Sequence, residues 1–509
     1  MNYLGIDIGG TWLKAVTIKY TVGLSLKDIP VMTQNAKITR VRSRLGVNST
    51  ITDFVGALDE LLQKAVPKGE SVCGIGISTA GIVDYAGKRL VLSAPHLRVL
   101  TDSYWIDYLK QTTGAVVTLL NDADAAAIGA AYSGYLSGNA TVGIMPVGTG
   151  LGFTVWRNGR KWTPQFAYTL LGSIFTPEGG YDSIGGVPAL VGEDGDLQKI
   201  LSEPEYQSRR DTYINNLMGI ISSAAIIYGI DKILIGGGLA DAVRESGFPL
   251  ADKLKAQLRK NNLLDTAKTE VEVMPEGNLL PLTGALLIAV GEENAQKTHC
   301  KKDSNIPYDS TLHLENMDSK KLVHRLWQAE QEADDGLELS LDAVSETVDE
   351  LVKRLASGGR LIYVGCGTIG RLAAIDALEI ACTFGFPADR VLSFISGGLA
   401  DASIEIESRF EKDASAVPEM LLADIRTNDT VIGISVGGQE YYVQSALGFA
   451  RYTGAYTVMI QEEAADSLPF CDKAIALRTG NELFAGSIRM KVGKILNIIS
   501  TSAMKLLSH

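Results

Sequence analysis

The sequence predicts an α/β protein built in two parts, and three observations predict it. Its 509 residues are too many for one ordinary core and suit two or three domains. Short β-branched runs alternate with helical patterns along both halves, the pattern of layered sheet and helix. Between them the composition shifts. Residues 292–307 are polar and lack an apolar period, while residues 282–290 read as a small-residue buried helix and residues 319–355 as one long amphipathic stretch. We place domains at 1–295 and 309–509, with a linker at 296–308.

Composition narrows the function classes. With 47 basic against 59 acidic residues the formal charge is -12, which disfavours a nucleic-acid or anionic-membrane binder. The five cysteines are scattered with no C-x-x-C pair, so neither a disulfide scaffold nor a zinc ribbon is expected. No apolar run is long enough to span a bilayer and the N-terminus lacks a basic, apolar leader, so a cytoplasmic protein is expected.

In the first half, Leu4–Ile8 reads as a strand running into the turn Gly9-Gly10-Thr11, and Leu13–Ile18 as the strand that follows. Paired glycines let backbone N–H groups face an anion closely. Asp7 is placed to hold magnesium or its waters, and Thr11 to offer a hydroxyl to phosphate. Gly148-Thr149-Gly150 forms a second such turn before a strand, and Gly236-Gly237-Gly238 ends a buried strand where a flat ring can lie on the backbone. Asn121-Asp122 ends a further strand at the start of an alanine-rich helix. Asp122 is there either a general base or the helix N-cap.

In order and jointly, these motifs and Gly76–Asp84 resemble the ROK family of repressors and sugar kinases, within the actin/hexokinase-type ATPases. The resemblance covers residues 1 to about 290. It implies a ribonuclease H-like fold with two lobes, about 1–120 and 121–295, closing over ATP, magnesium and a sugar. It implies ATP contacts at Asp7, Gly9, Gly10, Thr11, Lys14, Gly148, Thr149, Gly150, Gly236, Gly237 and Gly238. Asp122 would take the proton of the attacking sugar hydroxyl and Asn121 would hold a neighbouring one. His96 stands where it contacts sugar or simply faces solvent. The chain also departs from the family. Where many members carry a sugar-gripping glutamate and histidine it has Leu170 and Ser173, and the following loop lacks cysteines, so no zinc is expected and the sugar is not held in the usual way.

In the second half, residues 359–372 read as strand, glycine turn and helix start, containing G-x-G-x-x-G. The next strand ends without the acid a dinucleotide ribose requires, so an anion site is favoured over a nicotinamide site. Residues 430–440 form a second strand and turn, and two such turns at parallel strand ends can face one ligand.

This half, about residues 310–505, resembles a SIS (sugar isomerase) domain, a doubly wound parallel sheet. It is most similar to the N-acetylmuramic acid 6-phosphate etherases and the glucokinase regulatory proteins, through residues 365–372, 376–379, 383–385, 396–398 and 482–493. The resemblance implies a sugar-phosphate site at Gly367, Thr368, Gly370, Arg371, Ser435, Gly438 and Ser487, with Glu379 as one catalytic carboxylate. The second carboxylate position reads Phe410, with Glu407 and Glu411 nearby, and two serine-type phosphate contacts read Ile369 and Gly437. Three readings follow: a sugar kinase fused to a sugar-phosphate-binding domain, a bifunctional kinase and etherase, or a non-catalytic sensor. SIS domains usually pair, so a homo-oligomer, most simply a dimer, is expected.

Overall fold

The computed structural model describes residues 1–509 except 22–23, 47, 85–88, 94, 137–139, 158–159, 163–170, 178, 193–194, 261–267, 276, 298–317, 397–412, 439, 463–467, 479–486 and 508–509. The chain divides into two compact units. One holds Met1–Val290 with Leu421–Asp424, the other Gly291–Met420 with Ile425–His509.

The first unit contains two five-stranded sheets. In the first, β1 (Asn2–Ile8) pairs antiparallel with β2 (Trp12–Lys19), and β2 with β3 (Thr39–Arg42). On its other side β1 pairs parallel with β4 (Val72–Thr79), and β4 with β5 (Val116–Asn121). The second sheet repeats this plan. β6 (Val142–Pro146), β7 (Thr154–Arg157) and β8 (Arg160–Trp162) run antiparallel in sequence, and β6 pairs parallel with β9 (Lys232–Gly236), which pairs with β10 (Glu270–Val273). The sequence shows no repeat, so the shared plan is visible in strand pairing alone. The first sheet lies within residues 2–121 and the second within residues 142–273.

Two helices join these sheets, α1 (Asp122–Tyr132) after β5 and α4 (Leu280–Lys297) after β10. The small residues of α4 have a direct use. A methyl group on Gly76 of β4 would lie 1.7 Å from the Ala285 carbonyl oxygen, and one on Gly284 would lie 2.0 Å from that of Ala125 in α1. Helix and sheet therefore meet backbone to backbone, which only glycine permits. α4 runs unbroken to Lys297, so residues 296 and 297 are helical, while 298–308 of the expected linker lie outside the described residues.

The second unit is one all-parallel sheet in the order β12-β11-β13-β14-β15, with β11 Leu361–Cys366, β12 Val391–Ser396, β13 Thr430–Ile434, β14 Tyr456–Gln461 and β15 Lys473–Ala476. Helices α7 (Gly367–Phe384), α8 (Tyr441–Tyr452) and α9 (Ser487–Leu507) follow strands of this sheet, as a doubly wound fold requires. The stretch 319–355, expected as one amphipathic run, is two helices, α5 (Ser319–Glu338) and α6 (Leu341–Ala356). The break falls where Ser340 turns its hydroxyl to the Ala476 carbonyl at 2.5 Å. Among the described residues no helix is long and apolar enough to cross a membrane.

Candidate active site

The glycine turns of the first unit converge. β1 and β2 form a tight hairpin in which Gly9 donates its N–H to the Trp12 carbonyl. Asp7 is the penultimate residue of β1, one oxygen of its carboxylate taking the Lys14 ammonium at 3.2 Å and the other the Ser78 hydroxyl at 3.0 Å. Lys14 reaches on to Asn278 Oδ1 at 3.0 Å, and Asn278 donates to Asp241 of α3 (Gly237–Ser246). The first turn is thereby tied to the third. Gly236 accepts from Val147 N–H at 3.1 Å and Leu239 donates to the Val147 carbonyl at 3.1 Å, so the third turn lies against the second. Gly237 has φ +74, and a methyl group there would lie 2.5 Å from the Val147 oxygen. Glycine is required at that position. The second turn is shaped by Asp182 of α2 (Tyr181–Gly185), which accepts from Leu151 N–H at 2.5 Å and sits where side chains on Gly150 or Gly172 would fall.

Asp122 stands beside this second turn. A methyl group on Gly152 would be 3.5 Å from its Oδ1. It is the first residue of α1, and the N-cap is Asn121, whose Oδ1 accepts from the N–H groups of Ala123 at 3.0 Å and Asp124 at 3.3 Å. Asp122 Oδ1 also accepts from the Ala123 N–H, at 2.8 Å, so the two side chains share that first helix amide while Asn121 takes Asp124 as well. Asn121 also donates one amide hydrogen to the Gly81 carbonyl at 2.9 Å and keeps the second for a ligand. Desolvation pushes the Asp122 carboxyl up to about 6 from 3.8, with the negative charges of Asp7, Asp124 and Asp182 adding to it and the Ala123 N–H opposing. Buried Asp124 is held by the Thr154 hydroxyl at 3.1 Å.

The remaining residues of the first unit stand at its rim or outside the description. Thr11 and Thr149 are exposed on their turns, and Gly10, Gly148 and Gly238 are half-buried. His96 lies in the short helical turn Pro95–Thr101, its side chain outside the described residues. Leu170 is outside them too, and of Ser173 only the backbone is described. Ser78, Asp182, Asn278 and Asp241 were not singled out by sequence. The first two fall inside motifs that can be read, whereas Asn278 and Asp241 belong to no recognisable pattern.

A magnesium ion fits this chemistry in one way. Among the described residues no three His, Cys, Asp or Glu side chains cluster as a metal cage. One aspartate beside phosphate-facing backbone suits a hydrated ion carried on the donor's phosphates.

In the second unit the turn after β11 bends where Gly367 takes φ +51, and Gly365 and Gly370 touch backbone to backbone. Ser435 directly follows the neighbouring strand β13, its hydroxyl buried without a hydrogen-bond partner, and Gly438 has φ +71. Gly367, Thr368, Gly370 and Arg371 thus gather with Ser435 and Gly438 at the C-terminal ends of two paired strands. Ser487 opens α9, its side chain outside the described residues, and so do Phe410, Glu407 and Glu411 lie outside them. Glu379 does not join the group. It is exposed on α7, twelve residues after Gly367. At 1.5 Å per residue that is about 18 Å along the axis, beyond the reach of a small ligand at the turn. Asp376, one turn before it, is buried, accepting from Tyr363 at 2.7 Å and Ser500 at 3.0 Å, with its carboxyl raised by desolvation.

Comparison with known proteins accords with this division. The ROK family model matches residues 3–168, and the model of the glucokinase regulatory protein N-terminal SIS domain matches residues 343–451. The second half is 35% identical over 201 residues to an N-acetylmuramic acid 6-phosphate etherase of Geobacillus thermodenitrificans, covering 38% of this chain and 68% of that one. It is 37% identical over 199 residues to the etherase of Picosynechococcus, covering 38% and 65%. A ROK glucokinase from Streptomyces griseus, solved with glucose and an ATP analogue, overlaps 57% of this chain and 99% of its own at 18% identity and a TM-score of 0.45. A ROK hexokinase from Thermus thermophilus overlaps 57% and 98% at 19% identity and a TM-score of 0.39. The family models thus place a ROK domain N-terminal to a SIS domain in this chain. Through the second of these the chain belongs to the N-acetylmuramic acid 6-phosphate etherase family.

Proposed function

We propose that the first unit transfers a phosphoryl group from ATP to the 6-hydroxyl of an N-acetylated amino sugar, N-acetylmuramic acid or N-acetylglucosamine, and that the second unit binds the sugar phosphate. The observation that carries this is Asp122. It is a half-buried carboxylate at the start of α1, facing a glycine turn and poised to titrate at about 6. A base of that strength is ionised at neutral pH and accepts a hydroxyl proton as the oxygen attacks phosphorus. The free amide hydrogen of Asn121 orients a neighbouring hydroxyl. Lys14 and the glycine-turn amides neutralise the phosphate chain, and Asp7 holds the ion's water shell. Bound magnesium supplies charge neutralisation at the phosphates, by which the leaving group departs more readily. The sugar is argued from the second half. Relatives named for N-acetylmuramic acid 6-phosphate make the product of the first unit the natural ligand of the second.

A second reading adds lactyl-ether cleavage, with D-lactate released. Family membership favours it, while the distance of Glu379 from the phosphate turn within one chain opposes it. Ile375 and Leu378, 52% and 66% exposed on α7 around Glu379, are apolar side chains that a second copy would cover. We therefore expect a homo-oligomer, and under the second reading Glu379 acts on the ligand of a partner subunit. Incubation of N-acetylmuramic acid, and separately of N-acetylglucosamine, with the protein, ATP and magnesium, read by mass spectrometry, tests both readings. A stable 6-phosphate supports the kinase with a binding domain. Lactate with N-acetylglucosamine 6-phosphate supports the bifunctional protein. No product with either amino sugar overturns the amino-sugar reading.

A further inference from the structure

The face of the first sheet that bears Asp7 also carries an exposed Trp–Arg pair which the site above leaves unused. Alternate residues of a strand share a face. Leu13 is buried in the core, so Trp12 and Lys14 point the other way, toward Asp7. On β3, Arg42 lies directly opposite Trp12 and Arg40 opposite Lys14. The Arg42 guanidinium stacks 4.1 Å from the centre of the Trp12 ring, which remains 38% exposed. The next residue ties this strand to the phosphate turn, because Ser43 donates its hydroxyl to the Gly10 carbonyl at 2.6 Å and its N–H to that of Thr11 at 3.2 Å. A guanidinium held over an indole is restrained in position and can offer N–H groups to an anion. In a chain of charge -12, Lys14, Arg40 and Arg42 form a local basic strip beside a turn that faces phosphate.

We propose that Arg42, held by Trp12, is a second cationic contact beside Lys14 for the phosphate chain of the donor, and that this strip selects donors with two or more linked phosphates. The inference rests on the reading of the first unit as a phosphoryl-transfer site, and it adds a specificity-determining residue on β3. The bland alternative is that the arginines merely guard an edge strand against pairing with other chains.

The test is titration calorimetry on the full chain with magnesium, using ADP, inorganic tripolyphosphate and AMP. Loss of one charge-assisted contact in Arg42→Ala weakens ADP and tripolyphosphate binding roughly ten- to a hundredfold and leaves AMP unchanged. Arg42→Lys recovers part of the loss. Trp12→Leu, which keeps the charge and removes the platform, falls between. Arg42 is exposed, and an unchanged melting temperature excludes misfolding as the cause. Equal affinities in Arg42→Ala and the parent overturn the proposal and leave the edge-guarding role. Binding that depends on Arg42 in a protein that phosphorylates no sugar sustains it while the sugar-kinase reading falls. A parent chain that binds neither ADP nor tripolyphosphate overturns both.

Discussion

Asp122 pays for its basicity in stability, and the sign can be worked out. Its carboxyl binds a proton more tightly in the folded chain, at about 6, than in the unfolded one, near 3.8. Its contribution is fully present below the unfolded value and is lost as the pH rises through the folded one. At neutral pH the ionised group therefore destabilises the fold, by about 1–3 kcal/mol. Asp122→Asn keeps the shape and the Ala123 contact, so it is expected to raise the melting temperature at pH 7.5 and to have little effect at pH 3.5. The same substitution should lower turnover by roughly 10²–10⁴, the usual worth of a positioned base. In the parent enzyme kcat/KM should rise with pH through about 6, the position of the Asp122 carboxyl. Stability curves at the two pH values and a pH–rate profile check these expectations. Much of this was legible in sequence, because Asp7, Asp122 and the glycine turns lie in contiguous motifs. How Asn121 and Asp122 share the helix amides was not, since only geometry shows both accepting from Ala123 and Asn121 reaching Asp124 as well.

At the scale of elements, two contacts decide how the units hold together internally. The glycine seam between α4 and the first sheet leaves no room for a methyl group at Gly76, with the Ala285 oxygen 1.7 Å away from where it would stand. Gly76→Ala must push the helix off the sheet and is expected to cost about 3 kcal/mol or more, read by chemical denaturation. In the second unit Asp429, 1% exposed, accepts from Arg360 Nη2 at 2.6 Å and from the N–H groups of Arg360 and Arg426 at 3.0 and 2.8 Å. It pins the start of β11 to the turn before β13. Asp429→Ala removes an acceptor shared by the Arg360 guanidinium and two amides, and a loss of about 3–5 kcal/mol is expected from the same measurement. The strands and most helices could be read from apolar runs and glycine punctuation. The break between α5 and α6 could not, because the tertiary bond from Ser340 to the Ala476 carbonyl, far along the chain, marks it.

For the whole molecule, the proposed function gives each unit a duty of its own on one chain. If α7 is the association face, Leu378→Glu should convert the oligomer to monomer in light scattering while phosphorylation by the first unit persists. A monomer in the parent protein would instead leave Ile375 and Leu378 as isolated surface residues. Sequence alone proposed two domains, but the shared plan of the two sheets emerged only from strand pairing, because backbone topology outlasts side-chain identity. The glycine seam has one more consequence, for motion. Where α4 meets β4 and α1, the contact is carbonyl against α-carbon, with glycine on one side each time. Interlocked side chains act as teeth, and sliding past them means unlocking rotamers. A smooth bearing has none, so shear of one lobe on the other along α4 is resisted chiefly by polar latches such as Lys14 on Asn278.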